Sequence, residues 1–456
     1  MNQEFNHKKI VILGMARSGI AAAELLIRRG AEVTVSDQKT LDRFDGALDA
    51  VIALGAVPAL GADVTPELLA GKDLLLISPG VPINAPAVLL AKEMGIPVLG
   101  ELEVASRLIE GTLVAVTGTN GKTTTVSLLG EIFEAAGHKC YVCGNIGYPM
   151  SAAALQAGPD DVIVAEVSSF QLETIQTFHP LSAAVLNVTE DHLNRHGTME
   201  VYTGLKKHIF VNQTAADVAL LNLDDPGAAV LGEGLNANVW YFSRKQEVEQ
   251  GLFVRDGQMI ARVNGQETFI CKPEEIYIPG PHNLENALAA AAIAFSRGVP
   301  AQIIREVLRT FKGVEHRIEF VRELEGVRYI NDSKGTNTDS TIKAVEAMTR
   351  PTSIILGGYD KHVSFVPLAK VVKASPYITA CVLIGVTAPQ IEREFTAEGI
   401  GNLIHAETLQ EAVEKCRALS SEGSNVLLSP SCASFDMFSD YEQRGRVFKQ
   451  IVNDLV

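Results

Sequence analysis

The chain has 456 residues, 47% hydrophobic and 20% charged, which gives enough apolar material for several cores and no low-complexity tract. Its formal net charge of −15, with no Lys/Arg run longer than two, argues against a nucleic-acid partner, since duplex binding needs clustered cations on phosphates. The longest purely apolar stretch, residues 287–295, is far short of the ~20 residues of a membrane span, and MNQEFNHKKI lacks a signal-peptide core, so a cytoplasmic chain is expected.

Residues 1–102 read as repeated strand–helix–strand. KKIVILG is a predicted strand, residues 18–29 a helix, AEVTVSD a second strand, DLLLIS a third with a sharp stop, and IPVLGE a fourth. This alternation predicts a parallel sheet covered on both faces. Gly14-Met15-Ala16-Arg17-Ser18-Gly19 approximates G-x-G-x-x-G with alanine in the middle, and Asp37 ends the next strand. The pattern suits a nucleotide diphosphate; a nicotinamide cofactor and a purely structural turn stay open beside it.

A second unit, residues 103–312, opens with TLVAVTGTNGKTTTVSLLGEIFEAAG, which reads as strand, glycine loop and helix, and continues through the Val-rich DVIVAEVSS and PLSAAVLNV. Residues 240–278 switch to short alternating segments that predict a small antiparallel insertion, and a helix follows Pro281. Cys140 and Cys143 form C-x-x-C, but no second pair or nearby His completes a zinc set, so free thiols on a strand compete with redox or metal work. The third unit, residues 313–456, carries four predicted strands, VRYINDS, TSIILGG, ITACVLIG and SNVLLSP, separated by helical stretches in a Rossmann-like pattern.

The strongest chemical signal is Thr117-Gly118-Thr119-Asn120-Gly121-Lys122-Thr123-Thr124 between a strand and a helix. Glycines let the backbone curl so that amides face phosphate oxygens, and the helix N-terminus adds its dipole. Lys122 is placed to reach the β/γ-phosphates of ATP and the Thr123 hydroxyl to sit on Mg²⁺, although Val116 stands where a strict P-loop has its first glycine. Glu166 and the pair Asp191-His192 end strands at the same sheet edge, where a carboxylate and an imidazole can hold magnesium. Lys206 and Lys207, taken alone, read as a solvated helix face. His316-Arg317, residues 331–334, Lys361 and residues 431–434 fall at loops or strand ends, where lysines and small polar groups suit a carboxylate ligand.

TGTNGKTT, GNIG, Glu-x-Ser-Ser from Glu166, NVTEDH, G-x-H-N-x-x-N at 280–286, EHR and NDSKGTN occur in the order seen in the Mur ligases, and the chain resembles that family over essentially its whole length. Within it, EVSSFQLE, NDSKGTNTDST, LGGYDK and SPSCASFDMF are similar to the members that add D-glutamate. The resemblance implies an α/β chain of three tandem domains: a Rossmann-like UDP-sugar-binding domain at 1–102, a central P-loop-type ATPase domain at 103–312, and a Rossmann-like amino-acid-binding domain at 313–456. It implies an ATP-dependent amide-forming ligase of peptidoglycan synthesis, monomeric, with UDP-N-acetylmuramoyl-L-alanine and D-glutamate as substrates and two Mg²⁺ sites.

By the same resemblance, Gly118, Thr119, Asn120, Gly121, Lys122, Thr123, Thr124, Asn283, Asn286, Arg317 and Asp332 contact ATP. Thr123, Glu166, His192 and Lys206 hold metal, with Lys206 carried as a carbamate and Asn145 helping to position substrate. Gly14, Arg17, Ser18, Asp37, Gln38, Ser78, Gly80, Asn145, Ser168 and Gln171 face the UDP-sugar. Lys334, Thr336, Lys361, Ser434 and Tyr441 face D-glutamate, and Tyr441 departs from the Phe common in the family. Two other readings compete: a folylpolyglutamate synthase-like ligase, which lacks a nucleotide-sugar domain, and a non-catalytic nucleotide switch, which leaves the third unit unexplained.

Overall fold

The computed structural model describes residues 3–44, 46–360 and 363–455. Runs rich in Val, Ile and Leu become strands of three sheets, because β-branched side chains pack well on a pleated, buried surface. The first sheet is parallel, in the order Val57–Leu60, Glu32–Asp37, Lys9–Leu13, Leu74–Ile77, Val98–Gly100. Val57–Leu60 was not expected from the sequence; it contains Pro58 and lies at the edge, where a missing amide does no harm. Chain order reverses at Lys9–Leu13, so Gly14, Asp37 and Ser78 meet at one end of the sheet.

The second sheet has nine strands, in the order Gln266–Cys271, Gln258–Val263, Gly251–Arg255, Asn238–Ser243, Val218–Asn222, Ser182–Val185, Thr112–Thr117, Val162–Glu166, Cys140–Gly144. The region expected as a small antiparallel insertion extends this sheet at its edge. Gly251–Arg255 pairs parallel with Asn238–Ser243, and only the two strands beyond it are antiparallel. Gly251 makes this junction possible: its φ is +127°, and a Cβ there would lie 1.9 Å from the Tyr241 carbonyl oxygen. The central strand Thr112–Thr117 lies between Val162–Glu166 and Ser182–Val185, with Val116 opposite Glu166 and Thr117 opposite Val185. The phosphate loop and Glu166 therefore leave neighbouring strands at a switch point.

The third sheet runs Glu319–Leu324, Val327–Asn331, Asn425–Leu428, Thr352–Leu356, Ile378–Leu383, Leu403–His405, with only the first pair antiparallel. The loops after Asn331, Leu428 and Leu356 thus leave three adjacent strands side by side. Beyond the four expected strands, the sheet gains one at each edge.

By internal packing the described chain divides into two units, one running up to Ile276 with Glu285–Thr310 added, the other holding Tyr277–Leu284 and everything from Phe311 onward. The first two sheets share the first unit and one continuous apolar core, in which Leu25 and Leu26 of helix Arg17–Arg28 join Met150 and Ala153 of helix Met150–Ala154. The unit boundary falls within helix Pro281–Ser296, whose residues from Ala287 through Ala294 are all 0% exposed. No helix among the described residues is long and apolar enough to cross a membrane. Cys140 and Cys143 are free thiols that stand three apart on one strand, so their side chains point to opposite faces and cannot pair.

Candidate active site

The loop after strand Thr112–Thr117 is built for close approach. Gly118 and Gly121 have φ of +155° and +85°, and a Cβ on Gly121 would meet the Asn286 Oδ1 at 2.2 Å. The segment after Ser182–Val185 fixes the loop from the side. Asn120 N donates to Asn187 Oδ1 at 2.8 Å, Asn187 Nδ2 donates back to the Asn120 carbonyl at 3.1 Å, and Thr119 Oγ1 donates to the Thr189 carbonyl at 3.0 Å. Lys122 opens helix Lys122–Ala135, and its Nζ donates to the carbonyls of Gly118 and Thr119, both at 2.8 Å. The Thr124 hydroxyl is buried with no hydrogen-bond partner among the described residues.

Glu166 is 2% exposed, and both its oxygens are engaged: Thr123 Oγ1 donates to Oε2 and Asn145 Nδ2 to Oε1, each at 2.9 Å. A hydroxyl, a carboxylate and an amide oxygen are the hard donors that Mg²⁺ takes. Asn286 lies against this loop, accepting from Thr125 Oγ1 at 3.4 Å. Asn283 belongs to the other unit and donates to the Pro279 carbonyl at 2.7 Å.

Lys206 overturns the solvated-face reading of its helix, Met199–Lys207. It is 1% exposed, with Nζ 4.4 Å above the Tyr202 ring, whereas Lys207 reaches out to the Glu233 carbonyl. Burial, and then the nearby Lys122 charge, hold the Lys206 ammonium well below the ordinary lysine range, against the opposing pull of Asp191. Lys206 makes no ion pair with any described residue. The Tyr202 hydroxyl lies 3.2 Å from Thr119 Oγ1, and its ring stacks on His196 at 5.5 Å. His196 Nε2 in turn meets Ser169 Oγ at 2.9 Å, and burial lowers the imidazole pKa. His192 stands at φ +54° with its ring 4.8 Å from Phe170 and Nε2 3.5 Å from Asp191. The sequence reading gave no role to Asn187, Tyr202 or His196. Tyr202 had a readable signal, since it lies one helical turn before Lys206 and so shares its face.

At the first sheet's switch point, Asp37 is committed to the backbone: Oδ2 accepts from Met15 N at 2.8 Å and Oδ1 from Lys39 N at 2.9 Å. Ser78 Oγ donates to the Gly14 carbonyl at 2.6 Å, and a Cβ on Gly19 would stand 2.0 Å from that same oxygen. Arg17 and Gly80 are exposed, Ser18 is half-buried, and Gln38 donates to Asp63. Ser168 and Gln171 bond to each other as a capping box on helix Ser169–Leu172. Ser78 and Gln171 line a small cleft with Glu173 and Arg195, which form an ion pair at 2.5 Å.

In the second unit, Asp332 is 4% exposed, accepts from Ser429 Oγ at 2.6 Å and Ile318 N at 3.2 Å, and is pushed up to about 6 by burial despite these bonds. Arg317 has its Nε buried without a hydrogen-bond partner. His282 of the G-x-H-N-x-x-N stretch is lowered to about 4 by burial and then by Arg317 and Lys343. Lys334 Nζ stands 5.3 Å over the Tyr441 ring, Thr336 closes the same turn through its amide to the Lys334 carbonyl, and Ser434 is 2% exposed. Lys361 lies outside the described residues.

Three profiles match along the chain: a Mur ligase MurD-like N-terminal domain over residues 8–100, a Mur ligase middle domain over 116–294, and a Mur ligase glutamate ligase domain over 316–432. A protein of Pelotomaculum thermopropionicum named UDP-N-acetylmuramoylalanine--D-glutamate ligase is 47% identical, covering 100% of this chain and 99% of its own. The protein of the same name from Clostridioides difficile is 43% identical over 98% of this chain and 99% of its own. Among solved structures, the UDP-N-acetylmuramate-alanine ligase of Thermotoga maritima superposes with a TM-score of 0.61 at 20% identity, covering 98% of this chain and 99% of its own.

Proposed function

The chain belongs to the Mur ligase family, and from that premise we propose that it is the ATP-dependent ligase that joins D-glutamate to UDP-N-acetylmuramoyl-L-alanine in peptidoglycan precursor synthesis. The observation that carries the chemistry is the convergence of Thr123 and Asn145 on the buried Glu166 beside the Lys122 loop. The domains divide as 1–102 for the UDP-sugar, 103–312 for ATP and 313–456 for the amino acid. The enzyme works as a cytoplasmic monomer.

A carboxylate is a poor electrophile, and making its amide in water is uphill. The alanyl carboxylate oxygen first attacks the γ-phosphorus of ATP; an O–P bond forms, the bond to ADP breaks, and an acyl phosphate results. The D-glutamate amine then attacks the acyl carbon. The C–N bond forms, phosphate leaves with the C–O electrons, and the amine gives up a proton. Lys122 and the amides of residues 118–121 hold the ATP phosphates, while Asn145 holds the reacting carboxylate. Asn283 and Asn286 take the adenine side, and Arg317 and Asp332 face ATP from the third domain. Gly14, Ser18, Asp37 and Ser78 shape the uridine diphosphate site. Lys334, Thr336, Lys361, Ser434 and Tyr441 take D-glutamate.

Thr123 and Glu166 would hold one Mg²⁺, and His192 with Lys206 a second; when bound, the metal offsets negative charge on the transferring phosphoryl group. The desolvated Lys206 amine supports a carbamate, formed as the neutral amine adds to CO₂ with loss of a proton. Lys206→Ala that short carboxylic acids fail to rescue at all would count against it.

A folylpolyglutamate synthase-like reading has no use for a nucleotide-sugar domain, and the match of residues 8–100 to a Mur ligase MurD-like N-terminal domain supports the Mur reading over it. The decisive experiment measures phosphate release from ATP with UDP-N-acetylmuramoyl-L-alanine and D-glutamate, L-glutamate, L-lysine or meso-diaminopimelate in turn. Release with D-glutamate alone is expected. Release with another amino acid would overturn the pocket, and no release from a chain that still binds ATP would overturn the ligase.

A further inference from the structure

Arg444, on helix Tyr441–Asp454, is 1% exposed and heads the largest fully buried side chains. Its Nε donates to Ser333 Oγ at 2.9 Å and one terminal nitrogen to the Ser333 carbonyl at 2.7 Å. The other terminal nitrogen donates to the carbonyls of Cys432 at 3.1 Å and Ala433 at 3.3 Å. No carboxylate among the described residues lies within ion-pair distance; Asp436 and Asp332 act on it only through space. Burial lowers its pKa to about 10, so the group keeps its charge at neutral pH. A guanidinium taken out of water normally finds a counter-ion, because neutral acceptors replace only part of its hydration.

Every group that Arg444 grips adjoins the amino-acid pocket. Ser333 precedes Lys334, Ala433 precedes Ser434, and Tyr441 stands one turn earlier on the same helix, its carbonyl accepting from Ser333 Oγ at 2.8 Å. Tyr359, which leads toward Lys361, hangs from the Ala433 carbonyl through its amide. A single fork thus ties the loop after Asn331 to the loop after Leu428, the Ala433 carbonyl that it grips also takes the Tyr359 amide from the loop after Leu356, and an unneutralised positive charge stands directly behind them.

We infer that Arg444 is a positioning residue that sets affinity for the dicarboxylate amino acid, holding residues 333–334, 432–434 and 441 in register and lending them its unpaired charge. The inference rests on reading that cluster as the D-glutamate pocket. A helix-to-sheet strut with no further role would predict loss of stability alone.

The test measures KM for D-glutamate, ATP and the nucleotide substrate in Arg444→Gln and Arg444→Lys, together with melting temperature and competition by D-glutamine. Arg444→Gln is expected to raise KM for D-glutamate at least tenfold, leave the other two within twofold, and weaken the preference for D-glutamate over D-glutamine. Arg444→Lys, which keeps the charge but loses the fork, is expected to raise KM for D-glutamate by a smaller factor and retain the preference. Unchanged KM for D-glutamate in both variants overturns the inference, as do three KM values rising together with a lower melting temperature. If the Gln variant does not fold, an Arg444→Lys enzyme whose KM for D-glutamate stays within twofold overturns it alone. Failure of the pocket reading itself shows separately, as a wild-type chain that is indifferent to D-glutamate.

Discussion

Two glycine loops leave the switch points of parallel sheets in the same unit, and they are held in different ways. The loop at Gly14 is fixed by groups that are used up in fixing it: Asp37 caps Met15 and Lys39, and Ser78 grips the Gly14 carbonyl. The loop at Gly118 is braced by Asn187 and Thr189 from a neighbouring segment, while Thr123 and Asn145 bond to the buried Glu166 beside it. What separates the two loops is what the acid beside each one holds: Asp37 accepts from backbone amides, Glu166 from the side chains of Thr123 and Asn145.

The sharpest way to break this contrast is to mutate the acid at each loop. Glu166→Gln keeps size and can still accept from Asn145 while donating to the Thr123 hydroxyl, but it removes the charge and should lower kcat by about a thousandfold or more with little change in melting temperature. Asp37→Asn should leave kcat nearly intact and raise KM for the nucleotide substrate by roughly tenfold. Equal kcat losses in steady-state assays of the two variants would erase the distinction.

Next in size is Gly19→Ala, whose new methyl would press on the Gly14 carbonyl. Since that neighbour is backbone and cannot swing aside, a destabilisation of about 1–3 kcal/mol is expected in denaturant unfolding. Ser78→Ala removes one hydrogen bond, about 1 kcal/mol, and should appear as a several-fold weaker nucleotide titration with ATP binding unchanged.

The smallest effect concerns pH. His196, beneath Tyr202, has its pKa lowered by burial, so the unfolded chain takes up that proton more readily than the folded one. Its contribution to stability is full above the ordinary histidine range and falls as pH drops through it. His196→Phe should flatten the stability loss on going from pH 7.5 to 5, read as the difference in melting curves. An identical pH slope in both proteins would mean that the imidazole does not titrate differently on folding.

The sequence made some of this visible and hid the rest for reasons that can be named. The phosphate loop was legible because its demands are local: glycines where φ must be positive, a lysine and a threonine at the helix start. Residue type alone did not separate Lys206 from Lys207, which are chemically identical; the family resemblance pointed to Lys206, and it is the packing of Tyr202 and His196 that takes its water away. Val57–Leu60 escaped notice because an exposed edge strand carrying Pro58 lacks the apolar run that marked its neighbours. The strands at 251–271 alternate as a free hairpin does, and their attachment depends on one glycine meeting Tyr241. Arg444 reads as an ordinary helix charge in YEQRGRVF, because its partners lie 11 and 111 residues away.

Helix Pro281–Ser296 has a consequence for how the chain can change over time. Near one end Asn286 packs against the phosphate loop, and at the other the Ser296 hydroxyl meets Ser182 at 2.9 Å, with fully sealed residues from Ala287 through Ala294 between. Six of these eight residues are alanines, and side chains this small let the surroundings close in, so a larger group at those six positions would overpack the core. Random mutagenesis should find the alanine positions nearly as intolerant as the reacting groups. Drift there is confined to exchanges no larger than alanine, and the helix acts as a template that later substitutions elsewhere must fit.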